Sequence, residues 1–180
     1  MFRQMMVLLM VSVLGLGSAM AMDHSHKEKD HSSHGHDHKG RTHVGKKALS
    51  EIHNVLAANE QLHSSFFKYD SKEIEKKAKL LSAAIEKLTH AEFRKLLKYS
   101  GEKVLEIKAK NDKKENNKVY ALVSMALIHI VNKYDVGADY NEYSCPMVKK
   151  KWLQHSKTKS GIQNPYAKSM PDCGMKNTNF

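Results

Sequence analysis

The sequence predicts an all-α protein. The expected form is an antiparallel four-helix bundle with a disordered His-rich N-terminal tail and an irregular C-terminal Cys/Met loop. Three observations predict it. Between Lys46 and Val131, apolar residues recur at helical spacing in four runs. The breaks between runs are short, which makes neighbouring helices antiparallel by default. No stretch alternates apolar and polar residues as a half-buried strand does. The expected units are a signal peptide (1–21), the tail (22–45), the bundle (46–135) and a loop packed on the bundle (136–180).

Residues 1–21 read MFRQMMVLLMVSVLGLGSAMA. One Arg precedes an apolar run that closes on Ala19-Met20-Ala21, the pattern of a secretory signal peptide cleaved near Ala21. The apolar run is short for a membrane span, and no Cys follows the cleavage site to accept a lipid. Export to the periplasm or the exterior is expected, with no stable membrane insertion after cleavage.

The tail carries His24, His26, His31, His34, His36, His38 and His43, with only Met22 and Val44 to bury. Such a segment does not fold by itself. A His-rich tract is a compositional sign of metal binding, and imidazole suits zinc, copper and nickel. His34, His36 and His38 stand at every second residue, so a flexible chain can wrap them round one ion. Nothing pre-organises these ligands, so their affinity and selectivity should be low.

In the bundle, Leu49, Ile52, Leu56, Leu62 and Phe66 outline a first helix over 46–67. Tyr69-Asp70-Ser71 is a break, with Asp70 or Ser71 as the next N-cap. Ile74, Ala78, Leu81, Ile85 and Leu88 form one unbroken stripe. Thr89 followed by Glu92 predicts a capping box for a third helix. Its stripe is Phe93, Leu97, Val104 and Ile107, with Ser100-Gly101 as a weak point. Asn111-Asp112 breaks the chain again, and no clear start signal follows it over Lys113 to Asn117. Val119, Leu122, Val123, Ala126, Leu127, Ile130 and Val131 make the fourth helix, the most apolar of the set. Met125 and His129 share one of its faces; within an apolar helix they are expected in the core. His53, His63 and His90 have no partner in sequence and are given the same reading.

Beyond Val136-Gly137-Ala138 the composition changes. Tyr143 to Met175 holds Cys145 and Cys173, the only Trp (Trp152), and Pro146, Pro165 and Pro171. Met147, Met170 and Met175 flank the two cysteines. Thiolate and thioether are the soft ligands that select copper(I), which points to Cys145, Met147, Met170, Cys173 and Met175 as a metal set. Two other readings stand beside it. In an oxidising compartment two Cys pair as a disulfide, and Met fills gaps against aromatics such as Trp152 and Tyr166.

Other functions find little support. The formal charge is +11, but the Lys are spread among Glu along helix faces and no nucleic-acid motif appears. Attraction to an acidic partner is the more modest inference. A nucleophilic Cys needs a positioned base, and nothing in the spacing supplies one. There is no Cys-x-x-Cys, no phosphate loop and no HExxH. The protein is not expected to be an enzyme.

The run of Tyr143, Cys145-Pro146-Met147, Trp152-Leu153, Asn164-Pro165-Tyr166, Met170 and Cys173-Gly174 resembles the end of a family of exported bacterial helical domains. That family is of unknown function and occurs in copper and heavy-metal resistance contexts, including attached to efflux membrane-fusion subunits. Tyr143 to Met147 and Pro171 to Met175 also resemble the two ends of the short heavy-metal-binding domain of such subunits. The resemblance implies a periplasmic copper or heavy-metal binder and points to Cys145, Met147, Met170 and Cys173. The His-Pro pair that normally follows Cys-Pro-Met there is absent, and His155 is the imidazole available in its place. The expected function is to sequester copper(I), with zinc, silver or mercury as possible guests, or to hand it to an efflux or metallochaperone partner. The alternative is a disulfide-stapled helical interaction module with incidental metal binding.

Overall fold

The computed structural model describes residues 40–158 and 161–180. Among these residues there are four helices: α1 (Lys46–Lys68), α2 (Ser71–Glu86), α3 (Ala91–Lys103) and α4 (Lys113–Lys133). A 3-10 turn, Val104–Glu106, extends α3. None of the described helices is long and apolar enough to cross a membrane.

Consecutive helices pack on one another. Ile52, Leu62, Phe66, Leu81, Phe93, Leu97, Val123 and Leu127 are wholly buried among them. Phe66 of α1 stacks on Tyr120 of α4, ring centroids 4.4 Å apart, an arrangement worth about 0.5–1.5 kcal/mol beyond the area it buries.

The helix ends follow local chemistry, with one departure. Asp70 caps α2, its carboxylate accepting from the backbone N–H of Lys72 and Glu73 at 3.0 Å. Asp112 caps α4 through the N–H of Glu115 at 2.7 Å, the start signal that the sequence alone leaves unclear. The predicted capping box on α3 does not form. Its N-cap is His90, with no side-chain cap bond. Instead Glu51, reaching from α1, accepts from the N–H of Thr89 and of His90. The Thr89 hydroxyl donates to the same carboxylate. Gly101 is no weak point either. A Cβ there would stand 2.9 Å from Ile85 Cγ2, so glycine is what lets α3 lie close on α2.

The expected all-α architecture is incorrect. Residues after α4 form a three-stranded antiparallel sheet in the order β2-β1-β3, and the fold is mixed α and β. The strands are β1 (Tyr140–Cys145), β2 (Lys150–His155) and β3 (Met175–Lys176). β2 lies against α4 and α1, and Leu153 and Tyr140 join the helical core. The alternation signal is missing for a physical reason. Most of β1 is buried, and its buried polar residues Asn141 and Glu142 are satisfied by hydrogen bonds. The turn joining β1 to β2 also lacks the usual glycine or asparagine, since Lys149 takes the left-handed position at φ 49°.

Residues 41–44, read from sequence as part of the tail, are held. The N–H of Thr42 donates to the Lys133 carbonyl and the N–H of Asp135 to the Thr42 carbonyl, both at 2.9 Å. Arg41 pairs with Asp135 at 3.0 Å, and Val44 is buried.

Candidate metal centre

Cys145 ends β1, buried to 1% exposure. Pro146 fixes its own φ and opens the four-residue turn to β2. Register then pairs Cys145 with Lys150 and Tyr143 with Trp152, whose rings stack at 5.9 Å. Val148, Ile162, Tyr166 and Cys173 close around Tyr143, Cys145 and Trp152 as a second, smaller core.

The chain returns to this core through Asn164. Its backbone N–H donates to the Pro171 carbonyl at 2.7 Å. Its side-chain amide donates to the Cys173 carbonyl at 2.8 Å, and its Oδ1 accepts from the N–H of Tyr166 and Ala167. One buried side chain thus ties the 164–167 bend to the second cysteine, two residues before β3. β3 then pairs with the free edge of β1, Met175 opposite Ser144. Gly174 makes that approach possible: a Cβ there would meet the Ser144 carbonyl and the Trp152 ring, each at 2.8 Å.

These contacts bring Cys145 Sγ and Cys173 Sγ to 2.8 Å. The two thiols are not equivalent. Burial pushes the Cys145 thiol up, but hydrogen bonds from Cys173, from the N–H of Val148 and Met147, and from Asn164 together hold it below its usual range. Cys173 is pushed up, first by its hydrogen bond to Cys145, then by burial and the neighbouring charge. Of the two, Cys145 is the thiol that ionises more readily. A thiolate is the form that ligates metals and attacks disulfides. Backbone N–H donors to sulfur are the outer-shell support that ligating thiolates use.

The methionines surround this pair along the backbone. Met147 lies in the turn directly after Cys145. The Met170 carbonyl accepts from the Cys173 N–H at 3.1 Å. Met175 stands opposite Ser144 in the sheet. Met147, Met175 and Met170 are 68%, 54% and 37% exposed. They do not fill gaps on Trp152, where Val148, Ile162 and Tyr166 sit instead.

His155 is at the other end of the hairpin. It pairs with Tyr140, whereas Cys145 pairs with Lys150, a separation of roughly 17 Å along the strand. Its Nδ1 accepts from the Thr158 N–H at 3.2 Å. His24, His26, His31, His34, His36 and His38 lie outside the described residues. Among the described residues no three His, Cys, Asp or Glu side chains come together as a metal group. A closed zinc site takes four such ligands; two thiolates with thioethers beside them suit copper(I) better.

Met125 and His129 share a face of α4, as their spacing requires, but that face is exposed, so they are not core residues. His63 is wholly buried, its Nε2 2.8 Å from the Gln163 carbonyl. His53 Nε2 lies 2.8 Å from the Val136 carbonyl, and His90 packs its ring on Phe93.

Sequence reasoning assigned no role to Asn164, Gln154 or Glu142. Gln154, wholly buried, donates to the Gly161 carbonyl at 2.8 Å and accepts from Trp152 Nε1 and the Gln163 N–H. Glu142 binds Asn132, Asn177 and Lys151. Burial pushes its carboxyl up, but Lys151, Asn177 and Asn132 outweigh that and hold it below its usual range. The only sequence cue was Asn164 before Pro165, a turn-forming pair. Comparison of the chain with protein-family models, curated proteins and solved structures returned no match.

Proposed function

We propose that this is an exported metal-binding protein that holds copper(I) at Cys145 and Cys173 and passes it on or keeps it sequestered. The observation that carries this reading is the 2.8 Å approach of two sulfurs, one of them buried. The exposed thioethers of Met147, Met170 and Met175 are soft donors in the same segment. The resemblance of Tyr143 to Met175 to a metal-resistance family supports it. In this reading the His-rich tail collects ions and the sulfur pair holds one more selectively. Exposed thioethers favour ligand exchange with a periplasmic efflux or metallochaperone partner. Zinc, silver and mercury are alternative guests, and no catalysis is assigned.

The test is a titration of anaerobically reduced protein with copper(I) against a competing chelator. Cys145→Ser and a chain lacking residues 22–39 are titrated in parallel. Cys145→Ser should weaken binding by at least about two orders of magnitude, as expected for losing a thiolate ligand. Binding that is unaffected by either change overturns the reading.

A second reading uses the same geometry. Two sulfurs this close can also join as a disulfide, which makes the segment a stapled interaction module with incidental metal binding. Mass analysis of protein taken from its native compartment distinguishes them: a permanent Cys145–Cys173 bond removes both thiolates and favours the second.

A further inference from the structure

Lysines crowd together at one place on this protein. Between the first turns of α4 and the β1–β2 turn lies a hollow of about 560 Å³. Lys113, Lys114 and Lys118 line it from the helix, and Lys150 and Lys168 from the C-terminal segment. A second hollow of about 480 Å³ adjoins it, sharing Lys118 and Lys150 and adding Lys149 and Lys151. No Asp or Glu lines either one. Of these lysines only Lys151 has a carboxylate partner among the described residues, Glu142 at 2.7 Å. Some lysines elsewhere are answered, as Lys79 is by Glu75, Lys103 by Glu106 and Lys133 by Glu92.

The groove is not only charged. Val148 and Tyr166 line the first hollow, and Leu122 and Met125 the second. Leu122 and Met125 are 39% and 49% exposed on a helix that is otherwise the protein's most apolar. Burial and the nearby Lys168 charge push the Lys113 ammonium below its usual range. Crowded like charges at a partly dry surface are relieved by an incoming anion.

We infer that this lysine-walled groove docks an acidic, partly apolar segment of a partner protein. Charge complementarity selects the acidic character, and steers association. The apolar strip between the lysines selects a polypeptide with its own apolar side chains over a bare anion or a lipid surface. A flat bilayer meets a rim of lysines but cannot fill a cleft. The inference goes beyond the metal reading and stands without it. One consequence rests on that reading: the β1–β2 turn that walls the groove also carries Met147, so a docked partner lies beside the proposed copper site.

The test uses the purified full chain and a short fluorescein-labelled peptide of Glu and Leu, followed by fluorescence anisotropy. The control peptide carries Gln for every Glu. Lys113→Glu/Lys114→Glu/Lys118→Glu is compared with Lys87→Glu/Lys95→Glu/Lys98→Glu, which changes the net charge equally at residues lining neither hollow. The groove variant should bind at least about tenfold more weakly and the remote variant within about twofold. Equal losses in both variants, or equal binding of the Gln peptide, overturn the proposal. So does displacement of the peptide by inorganic phosphate at comparable concentration, or equally groove-dependent binding to phosphatidylglycerol vesicles. Copper(I) affinity of the groove variant should be unchanged, and Cys145→Ser should bind the peptide normally. Failure of docking and failure of the metal reading therefore give different results.

Discussion

The helical core and the hairpin end are held by different means. Among the helices, wholly buried Ile52, Leu62, Phe66, Leu81 and Leu127 interlock, with polar ties such as Asn116 to the Lys108 backbone secondary to them. At the hairpin end three buried polar side chains, Glu142, Gln154 and Asn164, each tie several backbone or side-chain groups together. Apolar packing tolerates loss by partial collapse. A polar knot does not, because removing it leaves buried partners unpaired. The cysteines sit where the second kind of construction sets geometry.

The largest expected effect breaks the first region. Phe66→Ala removes a wholly buried ring stacked on Tyr120 and should cost about 3–5 kcal/mol of stability. Urea unfolding followed by far-UV circular dichroism measures it. Copper(I) affinity of the remaining folded protein should be unchanged, since the sulfur pair lies in the other core.

Next comes Asn164→Ala, which strips partners from the Cys173 carbonyl and the Tyr166 and Ala167 N–H groups. A stability loss of about 1–3 kcal/mol follows from leaving such groups unpaired. It should also weaken copper(I) binding at least about tenfold, because a misplaced ligand gives up binding free energy of that order. Chelator competition checks this. The single Trp, Trp152, reports on the hairpin end by fluorescence, so the altered environment should be visible there before the helices respond.

A smaller change is expected at the helix caps. Asp70→Ala and Asp112→Ala each remove acceptors for exposed helix N–H groups and should cost about 1 kcal/mol. Both should leave the copper site untouched. A cap variant that alters copper affinity would collapse the distinction between the two regions.

The slightest change is pH-dependent. The Glu142 carboxyl is held below its ordinary value by Lys151, Asn177 and Asn132, against the opposing effect of burial. A depressed carboxyl stabilises the fold above its unfolded pKa, near 4.3. That stability is lost as pH falls through the folded value. Glu142→Gln should therefore be less stable than wild type at pH 7, and the gap should close on acidification. Denaturant midpoints from Trp152 fluorescence across that range measure it.

The same contrast explains what could be read in advance. All four helices were legible, because stripes such as Ile74, Ala78, Leu81 and Ile85 need only one apolar face. Asp70 was legible as a cap by local chemistry. Glu51 was not, because it caps α3 from another helix and no local pattern records that. The sheet was invisible for a related reason. In β1 the buried Asn141 and Glu142 break the alternation that marks a strand. Lys149 occupies the left-handed turn position normally advertised by Gly or Asn. The cysteine and methionine cluster was legible as composition. Its separation from His155 was not, since that depends on strand register. Asn164 was visible only as a residue before proline, and its three ties are tertiary.

In the proposed function, one copper(I) ion is held by the sulfurs of Cys145 and Cys173. X-ray absorption at the copper edge tests it most directly, on reduced protein loaded with one equivalent of copper(I). The account predicts a first shell of sulfur alone, lost in the Cys145→Ser/Cys173→Ser chain. A shell dominated by nitrogen, unchanged by that double substitution, would contradict it and assign the copper to histidine.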